Sequence, residues 1–267
     1  MSSYTGLVHG LSEEAYRAAD GVNYSEVKRC LKHKTPAHYH ACCLHPGRPA
    51  KLMDQKEDQA MVNGKAMHSL VLEPESFDSL YLPAVSDDKR TKKYRDQAEA
   101  NPAKTLLKSS DWDEVHRMAE SVKKHPGASW LLSEGRPEVS MFWNDQKSGE
   151  SCKGRNDWLR SDHHIVDLKS TYDASFNRYG FRYIVEVQLH YSWQMAHYCN
   201  GYEAITGKKP AFTFIAVEND YPFFTHVINY PEHKIQKFKE EFREKLDRYL
   251  WAKNNNWPGY SDFIEEA

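Results

Sequence analysis

Apolar residues recur at helical spacing through the first half of the chain and in short strand-like runs through the second. LSEEAYRAA (11–19) reads as a helix opened by Ser12 in a capping box with a nearby glutamate, and Asp20-Gly21 marks a turn after it. YSEVKRCLKH places Val27, Cys30 and Leu31 on one helical face, and Thr35-Pro36 starts a further helical piece. HPGRPAK (45–51) reads as a loop. The second half of MDQKEDQAMVNGKAMHSLVLEP (53–74) reads as a helix carrying Met67, Leu70 and Val71 until Pro74 stops it. Residues 84–110 are polar and read as a solvated segment with some helix. Its Lys89, Arg90, Lys92 and Lys93 are ordinary surface charges on one reading and phosphate contacts on the other. Asp111 is placed to cap WDEVHRMAESVKKHP, which Pro126-Gly127 should end.

From about residue 131 the period changes. EVSMFWND (138–145), SCKGRNDWLR (151–160) and HIVDLKST (164–171) are three strand-like runs separated by QKSG and SDH turns. Residues 181–206 read as one helix ended by Gly207, with Val185, Leu189, Trp193, Ala196 and Tyr198 among its apolar groups. AFTFIAVEND (211–220) and PFFTHVINY (222–230) read as strands joined by a turn at 219–222. A long amphipathic helix follows, with Pro231 in its first turn. The order helices, three strands, helix, two strands, helix predicts an α/β fold with a mixed central sheet flanked by helices. We read 1–267 as one domain, mainly helical over 1–130 and with its core over 131–255.

Composition narrows the chemistry. An apolar fraction of 40% with 28% charged residues supports a packed core. The formal net charge of −2 gives no global basic signature, so a nucleic-acid partner would need a local basic channel. Most of the seven Trp and sixteen Tyr read as core and surface anchors, with a few available to stack on bases. Five Cys without CxxC spacing argue against a disulfide framework or a Cys₄ zinc site. MSSYTGLVHG lacks the pattern of a signal peptide, and no apolar run approaches the ~20 residues of a membrane span. A soluble intracellular protein without a membrane partner is expected.

Asp167 and Lys169 carry the most information. One residue apart on a strand, they point to the same face among Ile165, Val166 and Leu168. Charges on so apolar a strand are costly unless they pair or hold a metal. Asp157 lies near the end of the preceding strand, and a hairpin would bring it to Asp167. Two carboxylates together suit a hard cation such as Mg²⁺, and the lysine would orient or deprotonate an attacking water. The bland alternative is an Asp–Lys pair on a sheet without chemistry. Glu138 at the start of the first strand offers a third carboxylate. His68, on an earlier helix, offers a neutral imidazole, although a lone His is more often a satisfied structural residue. Gln194 and Tyr198 lie one helical turn apart and face the same side.

The ordered set GKAMHSLVLEPESF (64–77), GRPEVSMFW (135–143), CKGRNDWL (152–159), IVDLKST (165–171) and SWQMAHYCNGYEA (192–204) resembles the nuclease domain of the RecE-like (exonuclease VIII) phage recombination exonucleases, of the PD-(D/E)XK superfamily. Residues 11–39 resemble the start of that domain. The resemblance implies a restriction-endonuclease-like core with a helical N-terminal elaboration. It implies His68, Asp157, Asp167 and the Leu168 carbonyl as ligands of Mg²⁺, for which Mn²⁺ can substitute. Lys169 then positions the nucleophilic water, Glu138 is a supporting acid, and Gln194 with Tyr198 forms a Q-x-x-x-Y-like motif. Asn156 stands where the superfamily often has Pro.

Further implications are digestion of linear double-stranded DNA from its ends, 5′ to 3′, in a ring-shaped homo-oligomer. A RecT-like single-strand annealing protein would be the partner, in the cytoplasm of a bacterial host carrying a phage or prophage. Ser25, Lys28 and Arg29 are candidates for a 5′-phosphate pocket, and Lys65, Lys153 and Arg155 for a basic channel, against the plain reading of surface charges.

Rival readings are weak. NGKAMHS (63–69) lacks the first glycine of a phosphate-binding loop. Asp162-His163-His164 reads as a solvated turn, and His38 and His40 beside Cys42 and Cys43 lack a second half for a zinc site. The four-Cys iron–sulfur cluster of related nucleases has no matching spacing here. An endonuclease of the same superfamily or a DNA-binding module without catalysis remain as alternatives.

Overall fold

The structure is a computed structural model describing residues 4–49, 52 and 58–260. The last residues of the 45–51 loop and the start of the 53–74 segment therefore lie outside the described residues.

The elements follow the chain as β1 (Gly6–Val8), α1 (Glu13–Ala18), α2 (Tyr24–Lys32), α3 (Pro36–Tyr39) running into a π turn (His40–Leu44), and α4 (Gln59–Leu72). Then come α5 (Pro74–Leu80), β2 (Tyr81–Pro83), α6 (Lys92–Ala100), β3 (Thr105–Leu107), α7 (Ser109–Lys124) and α8 (Pro126–Leu131). The second half contributes β4 (Arg136–Asn144), β5 (Ser151–Leu159), β6 (His164–Thr171), α9 (Phe181–Tyr183), α10 (Tyr191–Thr206), β7 (Ala211–Glu218), β8 (Thr225–Tyr230) and α11 (Glu232–Asn254).

Six strands form one sheet in the order β1-β4-β5-β6-β7-β8. Of its strand pairs only β6–β7 is parallel, so this is the mixed sheet the sequence predicts. Strand alternation divides the core in two. Ile165, Phe212, Phe214 and Ala216 face α2, α10 and α11, whereas Val166, Leu168, Ile215 and Val217 face α4, α7 and α8. Helices cover both faces, which is why β7 reads as an almost unbroken apolar run. On α11, Ile235, Phe238, Phe242, Leu246 and Tyr249 form the buried stripe. Among the described residues no helix is long and apolar enough to cross a membrane.

Several local expectations are corrected. Ser12 caps α1 by accepting from Ala15 N–H at 3.1 Å, but the box partner is missing because Ala15 occupies that position. The complete box sits one helix later, between Asn23 and Glu26. Helix α7 begins at Ser109, so Asp111 is buried inside its first turn instead of capping it. Pro126 opens α8, where its missing N–H costs nothing, and His125 is the residue between the two helices. The 181–206 helix is broken. A π turn spans Ile184–Gln188, His190 takes a left-handed backbone (φ +52°) and stacks on Trp193 at 4.2 Å, and α10 starts anew at Tyr191. The 222–230 strand starts only at Thr225, because the turn extends through Phe224. In the polar 84–110 segment, α6 is joined by β3, which pairs with β2 in a small parallel ladder, and Arg90 is held by Asp88.

His197 on α10 is fully buried between Trp143 and Phe242, and its Nε2 bonds the Lys153 carbonyl at 3.0 Å. Burial lowers its pKa to about 4. The folded value lies below the unfolded one, so this stabilisation is complete above pH ~6.5 and is lost as pH falls towards 4, up to ~3 kcal/mol. Urea midpoints measured across that window should fall less steeply for His197→Gln than for the unaltered chain; identical slopes would show that His197 does not control acid stability.

Candidate active site

The site begins where two strands part. β5 and β6 pair only at Trp158↔Val166 and Leu159↔Ile165. One step further the strands diverge, and the side chain of Asp157 replaces the missing backbone partner: its Oδ2 accepts from Leu168 N–H at 2.8 Å. Asp167 and Lys169 project from β6 into this fork, as their period-two spacing requires. Asp167 is fully buried, Lys169 Nζ lies directly against its Oδ2, and Nζ stands 3.9 Å from Asp157 Oδ2. From the other side of the sheet α4 brings His68, with Nδ1 3.8 Å from the same Asp157 oxygen.

Gln194 holds the remaining oxygen of Asp167. Its Nε2 donates to Asp167 Oδ1 and to the Tyr198 hydroxyl, both at 3.1 Å. Gly154 on β5 makes room for Tyr198, since a Cβ there would lie 3.0 Å from the ring. Glu138 lies between the pairs Pro137↔Trp158 and Val139↔Asn156, hence across from Asp157. It holds a left-handed backbone (φ +48°), an outlier for a non-glycine residue in a strand and of the kind that clusters at functional sites. Arg155 lies 3.9 Å from its carboxylate.

The electrostatics describe an excess of negative charge. Burial and Asp157 push the Glu138 carboxyl up to about 8, against the opposing pull of Arg155. Burial and Asp157 likewise push Asp167 up to about 7, with Lys169 opposing. Burial raises Asp157 too. The same burial works against the charge on Lys169, but Asp167 and Asp157 outweigh it and hold the ammonium firmly protonated. Burial and Lys169 lower His68 to about 4, so its imidazole is neutral near pH 7.

This donor set fits a hard divalent cation: buried carboxylates short of countercharge, a neutral imidazole, and the Leu168 carbonyl beside them. As arranged, no three His, Cys, Asp or Glu among the described residues close tightly enough to enclose an ion. Lys169 occupies the side of Asp167 that an ion would share.

The other candidates divide. Lys28 on α2 points towards the site: Nζ donates to the Leu189 carbonyl and lies 5.8 Å from the Tyr191 ring centre. Burial, with Lys32 and Lys169, lowers its pKa to about 8. Ser25 is half-buried, and Arg29 is exposed with Nε turned to the Ser25 carbonyl at 3.4 Å. Lys65 is exposed on α4, one turn before His68.

Lys153 and Arg155 do not line a channel. Lys153 is 5% exposed and donates to the carbonyls of Tyr16, Arg17 and Ala19 at the end of α1. Arg155 bonds Ser140 Oγ and the Leu11 and Ser12 carbonyls, and packs over Tyr16. Both side chains anchor the N-terminal segment, and Arg155 also faces Glu138. The histidine decoys are also occupied: His163 bonds Tyr202, His164 bonds Thr213 and His38 bonds Thr35.

Two residues at the site escaped the sequence reading. The Tyr191 ring lies 5.0 Å from Lys169 Nζ, and its spacing of three from Gln194 was the available signal. Glu73 acts electrostatically on Glu138, and nothing in its spacing shows this.

A family model described as a PDDEXK-like domain of unknown function (DUF3799) matches residues 24–266. No curated protein matches the sequence. Among solved structures, a candidate exonuclease from Eubacterium rectale superposes with a TM-score of 0.66 at 15% identity, covering 94% of this chain and 89% of its own. That likeness establishes the fold. An alkaline exonuclease from Laribacter hongkongensis is also similar, at 12% identity over 62% of this chain and 87% of its own, but its TM-score of 0.25 carries no argument.

Removing one partner of a buried ion pair strands the other. Lys169→Ala should therefore lower unfolding stability in chelator by ~3 kcal/mol, and adding Asp157→Asn should recover part of that loss. Urea denaturation of both variants measures it; an unchanged midpoint for Lys169→Ala would show that the fork does not depend on this charge.

Proposed function

This chain belongs to the PDDEXK-like domain family (DUF3799), and from that membership we propose that it is a metal-dependent nuclease acting on the ends of linear double-stranded DNA. The observation that carries the reading is the fork of β5 and β6, where Asp157, Asp167 and Lys169 meet. The family and the fold support a nuclease, and the resemblance to RecE-like enzymes supports 5′ to 3′ degradation that leaves 3′ single strands for annealing. A ring-shaped oligomer, a RecT-like annealing partner and a phage or prophage origin belong to the same proposal.

Asp157, Asp167, His68 and the Leu168 carbonyl would hold Mg²⁺, or Mn²⁺ in its place. Bound there, the ion would supply Lewis-acid activation and neutralise charge developing on the phosphate. The protein's own groups do the rest. Lys169 is held protonated by its two carboxylates, so it orients the attacking water by donating a hydrogen bond instead of removing a proton. Glu138, whose carboxyl stands at about 8, is suited to exchange a proton near neutrality. Gln194 fixes one oxygen of Asp167 so that the other faces the fork. Lys28, with Ser25 and Arg29 beside it on α2, would meet the terminal 5′-phosphate.

Hydrolysis of end-labelled linear duplex should require Mg²⁺ or Mn²⁺, while Ca²⁺ should permit binding without efficient turnover. Lys169→Ala should lose at least ~100-fold in rate yet still bind DNA. Undiminished cleavage in excess chelator would overturn the metal-dependent reading.

End dependence has its own test, in which linear duplex, covalently closed circle and linear duplex lacking the 5′-phosphate are compared. The circle should persist, and Lys28→Ala should abolish any preference for phosphorylated ends. Rapid loss of the circle would replace the exonuclease with an endonuclease.

A further inference from the structure

On the sheet face opposite Asp167 and Lys169, a cavity of about 220 Å³ lies between α4, α7 and the end of β6. Asn63, Gly64, Asp111, Glu114, Ser170 and Asn219 are among its lining residues, and no Lys or Arg among the described residues is. Asp111 is 8% exposed, and its Oδ2 has no hydrogen-bond partner among the described residues. Asp111 and Glu114 are three residues apart on α7 and so share a helix face. A single amide group serves both carboxylates: Asn63 Nδ2 reaches Asp111 Oδ1 at 3.3 Å and Glu114 Oε2 at 3.4 Å.

Two adjacent carboxylates, one of them buried with a bare oxygen, are poorly neutralised by one neutral donor at the long end of hydrogen-bond range. The remaining polar groups of the cavity are the hydroxyl of Ser170 and the side-chain amides of Asn63, Asn219 and Gln59. The carboxylates of Asp111 and Glu114, the Ser170 hydroxyl and the side-chain carbonyls of Gln59 and Asn219 are the oxygen donors that hard divalent cations prefer; the Asn63 carbonyl is taken by Gln59 Nε2 at 2.9 Å, and the Met118 thioether, also in the lining, is too soft to compete. The volume accommodates an ion with several waters, at roughly 30 Å³ each.

We propose that this cavity binds a divalent cation of the Ca²⁺ or Mg²⁺ class, at a site separate from the fork. The ion would join three elements that build the fork from behind. α4 carries His68, Ser170 directly follows Lys169, and Asn219 is tied to the end of β6 by its N–H to the Thr171 carbonyl at 2.8 Å. Gly64 lets α4 come this close, since a Cβ there would lie 2.9 Å from Ser170 Oγ. Occupancy of this site would therefore set the position of α4 against β6.

The test is Ca²⁺ titration by calorimetry on the full chain, both unaltered and carrying Asp167→Asn to weaken binding at the fork. One saturable equivalent should remain in the Asp167→Asn chain, and Ca²⁺ should raise its melting temperature by a few degrees. Glu114→Gln, at a partly exposed position that folding tolerates, and Asp111→Asn, nearly isosteric, should each weaken that binding at least tenfold in both backgrounds. No saturable Ca²⁺ binding up to millimolar in the Asp167→Asn chain would overturn the proposal, as would affinity unchanged by Glu114→Gln. Because the readout is binding, the result stands whether or not the chain cleaves DNA.

Discussion

The parting of β5 and β6 after two residue pairs is the constraint on which the site depends. A continued antiparallel ladder would place Asp157 and Asp167 directly opposite each other with their backbones joined. Instead the Asp157 carboxylate takes the Leu168 N–H for itself, so a side chain completes the sheet and is held in place by doing so. The fork then opens a wedge into which Lys169, Gln194, His68 and Tyr191 converge from β6, α10 and α4. The parallel pairing of β6 with β7 keeps Asp167 and Lys169 rigid from the other side.

That geometry concentrates charge beyond what the protein balances internally. Asp157 and Asp167 share the Lys169 ammonium, Glu138 lies across from Asp157 with Arg155 3.9 Å away, and burial removes the water that would otherwise screen these charges. Burial is the largest cause of the upward displacement of all three carboxyls, and the Asp157 charge adds to it at Glu138 and Asp167. Such an arrangement is costly for stability and makes sense where a cation supplies the countercharge.

The convergence of the candidate site was legible because it is written in local periods. Asp167 and Lys169 share a face by strand alternation, Gln194 and Tyr198 by helical repeat, and β7 announces its burial by its apolar run. What was illegible depends on partners distant in sequence. Lys153 and Arg155 resemble channel cations until the stretch from Leu11 to Ala19 is seen lying over them, with its carbonyls accepting their hydrogen bonds. The break at His190 follows from a stacked Trp193 and a left-handed residue, neither of which disturbs the apolar periodicity that suggested one helix. β1 is too short to read, and it forms only because β4 offers an edge.

The anchoring of α1 reaches further than its size suggests. Arg155, 3.9 Å from Glu138, is aimed by the carbonyls of Leu11 and Ser12, and Lys153 is held by three carbonyls ending at Ala19. The opening stretch of the chain thus works as a tether for two cations that would otherwise swing into the acidic wedge or out to solvent. Fusing a tag or trimming residues at this end therefore bears on the charge balance of the candidate site, where Arg155 acts on the Glu138 carboxyl.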